Sequence, residues 1–209
     1  MISSWNVGPW NVQILPDTDT FEGPIPPPGT HTGNIIAAAD STPPHAAGGF
    51  AITSQEIAAV RTADCLPLVV ASDTQGVIVH ISRKSLVNTI LEHIAEHVPA
   101  TEARYAWLGP HICGNHFGFE YEGDEIIQFA NMFPEATKKE GGTTYLSLRA
   151  ATTQWLEQYS NNLEVVIDTK ICTYESEMPS WRRWREIHGD VRPFPQFISI
   201  LQTAQRTHV

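Results

Sequence analysis

Cysteine is scarce and poorly spaced for cross-linking: the chain of 209 residues has three, Cys65, Cys113 and Cys172. The number is odd, the three are far apart along the chain, and no C-x-x-C pair occurs. That excludes a disulfide framework and argues against a structural zinc knot. Free thiols fit a reducing compartment, so a cytoplasmic protein is expected. Basic residues are also in short supply, with 13 Lys and Arg against 23 Asp and Glu and a formal net charge of -10. Such a chain lacks the broad basic face that a phosphate backbone demands. A small-molecule substrate is therefore expected rather than nucleic acid. No apolar run reaches the roughly 20 residues of a membrane span, and the first residues (MISSWNVGPWNVQILPD) show no basic stretch followed by an apolar core. Neither a membrane partner nor a signal peptide is expected. No repeat or linker divides the chain, so one domain over 1–209 is the default, and a monomer.

What is present has a mixed pattern. Residues 1–30 are punctuated by Pro16, Pro24 and Pro26-Pro27-Pro28 and read as an extended segment, with strand character at Asn11–Leu15. Apolar runs bounded by turn residues predict strands at Asn34–Ala38, Phe50–Thr53, Ile57–Thr62, Leu66–Val70 and Val77–Ile81. Further strands are expected at Tyr105–Leu108, Leu163–Asp168 and Phe197–Leu201, and Asp40–Gly49 reads as a loop. Helical spacing of Leu86, Val87, Ile90, Leu91, Ile94 and Val98 predicts a helix capped by Ser85 and stopped by Pro99. Asp124–Phe133 and Leu148–Tyr159 are two more amphipathic helices, the second capped by Ser147. Hairpin-like strands with inserted helices imply an α+β fold, a layered domain of mixed sheets with packed helices.

Several stretches carry chemistry. Cys65 opens one strand and His80 closes its neighbour, so the two lie near one end of a hairpin. That placement suits a nucleophile with its base, two metal ligands, or plain packing. Asp64, directly before Cys65, is a carboxylate at the start of an apolar strand, where an unpaired charge is costly. His93-Ile94-Ala95-Glu96-His97 matches the H-x-x-E-H pattern of inverted zinc proteases, but the pair flanks the apolar stripe of an ordinary surface helix. Gly109-Pro110-His111-Ile112-Cys113-Gly114 is a glycine-bearing turn after a strand, suited to a ligand approach or merely to leaving the sheet. Cys172-Thr173-Tyr174 precedes Ser180-Trp181-Arg182-Arg183, whose paired arginines beside aromatics fit an anion or surface ion pairs.

In this order the stretches resemble the YfiH/laccase-domain family, called multicopper polyphenol oxidases in older usage. Its marks are V-H-G, T-A-D-C-x-P, H-A-G-W-R-G, G-P-x-I-G, C-T-y and S-x-R-R. They correspond here to Thr30-His31-Thr32-Gly33, Thr62-Ala63-Asp64-Cys65-Leu66-Pro67, His80-Ile81-Ser82-Arg83-Lys84-Ser85, the Gly109–Gly114 turn, Cys172-Thr173-Tyr174 and Ser180–Arg183. The resemblance runs from about His31 to Leu201. It implies a YfiH-like fold and zinc held by His31, Cys65 and His80, a two-imidazole, one-thiolate set with an open fourth position. It also implies purine nucleoside chemistry: phosphorolysis of adenosine, inosine, guanosine and methylthioadenosine, and deamination of adenosine. Copper would call for a weak axial ligand such as methionine, and no Met stands in a matching element.

One element departs from the family. Ser82-Arg83-Lys84-Ser85 replaces G-W-R-G, with Lys84 at the arginine position and Arg83 at the tryptophan position. The expected phosphate hosts are Arg83, Lys84, Arg182 and Arg183, with Asp64 orienting a ligand or moving a proton. Two rival readings stand beside this one: a cysteine hydrolase using Cys65 and His80, and a non-enzymatic descendant that binds zinc or a purine without turnover.

Overall fold

Two strands apolar at nearly every position must be covered on both faces, and the computed structural model shows what covers them. It describes residues 3–16, 24–25, 35–38, 47–121 and 123–204. The chain opens with seven strands, β1 (Ser3–Val7), β2 (Trp10–Pro16), β3 (Ile35–Ala38), β4 (Ala47–Thr53), β5 (Ile57–Thr62), β6 (Leu66–Ala71) and β7 (Gln75–Ile81). Helices α1 (Arg83–Val87) and α2 (Ile90–His97) follow, then β8 (Tyr105–Leu108), β9 (Gly118–Phe119) and α3 (Asp124–Met132). The rest is β10 (Thr137–Glu140), β11 (Thr143–Leu146), α4 (Leu148–Tyr159), β12 (Val165–Asp168), α5 (Trp181–His188) and β13 (Phe197–Thr203).

β6 and β7 lie at the centre of a six-stranded sheet ordered β12-β8-β6-β7-β4-β3. The outer pairs β12/β8 and β3/β4 are parallel and the inner pairs antiparallel. Strand periodicity of two sends alternate side chains to opposite faces. Leu66, Leu68 and Val70, with Val77, Val79 and Ile81, pack against Leu86, Ile90 and Ile94 of α1 and α2 and against α4. Val69, Ala71 and Ile78 face Trp10, Val12 and Leu201, which belong to a second, antiparallel sheet ordered β1-β2-β13-β5. The result is an α+β fold in layers, with helices on one face of a mixed sheet and a second sheet on the other. The Trp10 indole N–H donates to the Ser72 carbonyl at 2.7 Å and joins the second sheet to the β6–β7 turn.

Some elements differ from the sequence reading. β1 pairs with β2 through a two-residue connection, Gly8-Pro9, in which Gly8 has φ +64. Prolines later in the segment had masked this hairpin. Ala47–Gly49, expected as loop, belongs to β4. A Cβ at Gly49 would lie 2.3 Å from the Ile78 carbonyl oxygen and 2.8 Å from the Val79 Cα, so glycine here serves sheet packing rather than a turn. The expected single helix is broken at Asn88-Thr89, with Thr89 at φ 63, and Ser82, not Ser85, is the N-cap. A three-stranded sheet ordered β10-β11-β9 and the helix α5 had no counterpart in the sequence reading.

His111 bridges two distant stretches. Its backbone N–H donates to the Ile171 carbonyl at 3.1 Å and its own carbonyl accepts from the Thr173 N–H at 3.0 Å. The side chain is buried, with Nδ1 2.8 Å from the Gly109 carbonyl, so Nδ1 carries the proton. Burial pushes the imidazole pKa below its ordinary value. The unfolded chain then binds more protons than the folded one just below pH ~6.5, so stability is full above that value and falls as pH drops toward the depressed one. Urea midpoints between about pH 7.5 and 5.5, spanning the ordinary imidazole pKa, should fall further for the wild type than for His111→Asn, whose amide keeps a donor. Equal slopes would refute this assignment.

Candidate functional site

The site grows from the open end of the β6–β7 hairpin. Pro67 pairs with His80 across the two strands and Leu66 with Ile81. Cys65 has the parity of Pro67 and therefore shares a face and a strand end with His80. His80 is 7% exposed and Cys65 half-buried. Burial pushes the Cys65 thiol up to about 12, Asp64 pushes in the same direction and Arg83 opposes. Burial thus favours the protonated thiol, the less nucleophilic form. His31, the remaining member of the expected triad, lies outside the described residues.

Asp64 stands at φ 123, a backbone conformation that residues other than glycine rarely adopt. One oxygen accepts from the Thr173 hydroxyl at 2.7 Å and the other from the Arg182 backbone N–H at 2.7 Å. The neighbouring Ala63 carbonyl accepts from the Trp181 N–H at 3.1 Å, and Ser180 Oγ accepts from the Arg183 N–H at 3.2 Å. Three of the four otherwise orphaned donors at the N-terminus of α5 are thus satisfied, two of them by the Ala63-Asp64 segment. A carboxylate placed there also meets the positive end of the helix dipole. Burial raises the Asp64 pKa, and the bonds from Arg182 and Thr173 partly offset it.

Asp64, Cys65, His80, Arg83, Lys84 and Arg182 all line one cleft of about 820 Å³. The departing Ser82–Ser85 segment is a reciprocal cap at the start of α1. Ser82 Oγ accepts from the Ser85 N–H at 3.0 Å, and Ser85 Oγ accepts from the Ser82 N–H at 2.8 Å. Arg83 and Lys84 therefore fall in the first helical turn. Both reach Glu125 of α3, at 3.2 and 2.9 Å. The Arg83 guanidinium lies 5.0 Å from the Phe119 ring centre and that of Arg182 lies 5.4 Å from it, so β9 presents one aromatic ring to two cations. Arg182 also donates to the Gly118 carbonyl at 3.0 Å.

Arg183 is not among the residues lining the cleft. Its guanidinium donates to the carbonyls of Tyr174 (2.8 Å), Met178 (2.6 Å) and Ser176, fastening the turn before α5. Sequence reasoning missed Arg185 and Arg192, which line the cleft together with Tyr174, Trp181 and Phe194. Arg192 lies 5.9 Å from the ring centres of both Trp181 and Phe194. A helical reading of Trp181–His188 would have paired Arg182 with Arg185 at i, i+3.

The other motifs have local explanations. His93 Nδ1 bonds Glu96 at 3.0 Å on the open flank of α2, whose buried residues are Ile90, Leu91 and Ile94. A Cβ at Gly109 would lie 2.3 Å from the Trp107 ring and 2.6 Å from Pro67, so that glycine answers internal packing. Cys113 and Cys172, distant in sequence, are neighbours in space. Their sulfurs and a Glu175 carboxylate oxygen lie within 4.8 Å of one another, close enough to hold a metal ion. Among the described residues this is the one such group, and neither His93 nor His97 belongs to it. No helix among them is long and apolar enough to cross a membrane.

Residues 27–192 match the family model described as multi-copper polyphenol oxidoreductase laccase. No curated protein sequence matches the chain. Among solved structures, the Neisseria meningitidis protein NMB0706, of family DUF152, superposes with a TM-score of 0.73 at 20% identity, covering 97% of this chain and 98% of that one. YlmD from Geobacillus stearothermophilus gives 0.62 at 16% identity, over 76% of this chain and 61% of its own. The Bacillus licheniformis hypothetical protein YfiH gives 0.57 at 20%, over 76% and 62%. Likeness at such identities speaks for the fold, and the family model, which spans most of the chain, speaks for descent. On that match the chain is a divergent member of the YfiH/laccase-domain family.

Proposed function

We propose that the protein is a cytoplasmic, zinc-dependent enzyme of the purine nucleoside phosphorylase type, acting on adenosine and related nucleosides by phosphorolysis, deamination or both. The observation that carries this reading is the composition of the cleft. In a chain of net charge -10, Arg83, Lys84, Arg182, Arg185 and Arg192 gather around the Cys65–His80 strand ends, interleaved with aromatic rings. Aromatic faces suit a purine and the cations suit a phosphate dianion.

The donor set fits zinc. Cys65 and His80 share a sheet face, and a cation against the Cys65 sulfur would hold as thiolate a thiol that burial otherwise keeps protonated. His31 is the proposed third ligand. Zinc bound there supplies Lewis-acid charge to the cleft. The chain's own residues do the rest. Phe119, a buried ring met by the guanidinium groups of both Arg83 and Arg182, steadies those two cations at the cleft wall. Glu125 holds Arg83 and Lys84 side by side, so an anion that enters the cleft meets two neighbouring cations. Lys84 presents a point charge rather than a planar fork, which favours weaker orientation of phosphate than an arginine would give. Asp64, with both oxygens engaged, acts as a positioning residue for α5.

Purified protein should contain zinc, and Cys65→Ala should lose that bound at the cleft. Zinc-loaded protein should release ribose 1-phosphate from adenosine or inosine in a phosphate-dependent manner, or convert adenosine to inosine. Loss of a charged hydrogen bond is worth about 1.5–3 kcal/mol, so Lys84→Ala should raise the phosphate requirement by about tenfold or more, while Lys84→Arg preserves turnover. An effect confined to Arg83→Ala would move the role to Arg83. Absence of both products from zinc-loaded protein would leave the binding-only descendant as the reading.

Asp64→Ala should strand the buried Thr173 hydroxyl and the partly buried Arg182 amide and destabilise the fold by about 2–3 kcal/mol. Hydrogen exchange at the Arg182 amide should accelerate selectively. Unchanged exchange there would remove Asp64 from its positioning role.

A further inference from the structure

The sequence carries two short pairs of donor residues, Cys113-x-x-His116 and Cys172-x-x-Glu175, of which only His116 lines the cleft. The backbone bridge at His111 and Cys172 brings them together. Cys113 stands at the N-cap of a 3-10 turn, Gly114–His116, and Cys172 opens a turn closed by the Ser176 N–H donating to its carbonyl at 3.0 Å. Each pair therefore projects its donors from a tight turn, as metal-binding loops do.

We propose that Cys113, Cys172 and Glu175 form a second metal site, for a thiophilic divalent cation such as zinc, with His116 positioning the Glu175 carboxylate. The three donor atoms lie within 4.8 Å of one another, and Cys113 Sγ is 3.8 Å from Glu175 Oε1. Tetrahedral zinc with bonds of about 2.3 Å to sulfur and about 2.0 Å to oxygen sets the sulfurs about 3.8 Å apart and each about 3.5 Å from the oxygen. Closing the cluster onto a cation shortens any of these distances by about 1.3 Å at most. His116 Nε2 lies 2.8 Å from Glu175 Oε1, the carboxylate–imidazole contact that commonly aims a ligand from outside the coordination shell. The Cys113 N–H donates to Cys172 Sγ at 3.2 Å and supplies a backbone partner for a ligating sulfur.

A disulfide between the two cysteines would account for the sulfurs alone and leave the approach of Glu175 and His116 unexplained. Two thiolates, a carboxylate and an open fourth position match zinc better than magnesium or calcium, which take oxygen donors. The site shares no residue with His31, Cys65 and His80. It ties the Cys113–His116 turn to the segment from Cys172 to Glu175, and thereby fixes one wall of the cleft, where His116 stacks on Tyr174 at 4.2 Å.

The test uses full-length Cys65→Ala protein, stripped with a chelator, kept reduced with a phosphine and titrated with cobalt(II). In this background the cleft site lacks its thiolate, so thiolate-to-cobalt charge-transfer absorption reports the second site alone. One equivalent should bind with the intensity of two thiolates. Cys113→Ser or Cys172→Ser should each reduce that intensity to the one-thiolate level, with circular dichroism confirming that the variants are folded. His116→Ala should weaken cobalt binding by about 10–100-fold without changing the spectrum. Absence of charge-transfer absorption in folded Cys65→Ala protein would overturn the proposal, as would a Cys113–Cys172 disulfide found by mass spectrometry in metal-free protein as isolated. Neither result bears on zinc at the cleft, which wild-type metal content and nucleoside turnover report separately.

Discussion

Much of this structure depends on where one carboxylate is held. Asp64 sits between the central sheet and the N-terminus of α5, and its oxygens reach Thr173 and the Arg182 amide at 2.7 Å each. Residues more than 100 positions apart in the chain are joined there. That anchor matters because none of the residues of α5 is buried. Helices normally gain their place by burying an apolar stripe. This one is held at its end, through capping and dipole contacts, and two of its arginines, Arg182 and Arg185, line the cleft.

The cations around the cleft show the same division of labour. The Ser82–Ser85 cap fixes the start of α1, so that Arg83 and Lys84 are set by backbone geometry rather than by packing. Phe119 and Glu125 then fix their side chains, one through its ring and the other through its charge. Arg183, which looks in sequence like the twin of Arg182, spends its donors on three backbone carbonyls. Neighbouring arginines on one helical turn point about 100° apart, so adjacent positions take unrelated roles.

The sequence made the central hairpin legible because strands buried on both faces leave unbroken apolar runs, as in Leu66–Val70 and Val77–Ile81. Leu148–Tyr159 was legible because Ser147 caps an amphipathic pattern. The small sheet of β9, β10 and β11 was not, because Gly118-Phe119 and Thr137–Glu140 are too short or too polar to carry a period. α5 escaped for the same reason, its residues being mostly charged or aromatic. The grouping of Asp64, Cys65, His80, Arg83, Lys84 and Arg182 at one cleft was accessible through ordered motifs. The proximity of Cys113 to Cys172 depends on a backbone bridge between His111 and Cys172, and no local pattern announces such a contact.

Glu125, outside the cleft wall, is a resident anion for two of the cations that line it. Lys84 and Arg83 hold its carboxyl below the usual range, so it is ionised throughout the neutral region. An anionic ligand that uses those cations competes with a tethered carboxylate rather than with water alone. Binding is then an exchange of one negative partner for another, and the free energy gained is the difference between them. The exchange also reaches α3, which carries Glu125 and packs beside α1. Release of Glu125 would undo two of the ties between α1 and α3, a helix that itself contributes nothing to the cleft wall.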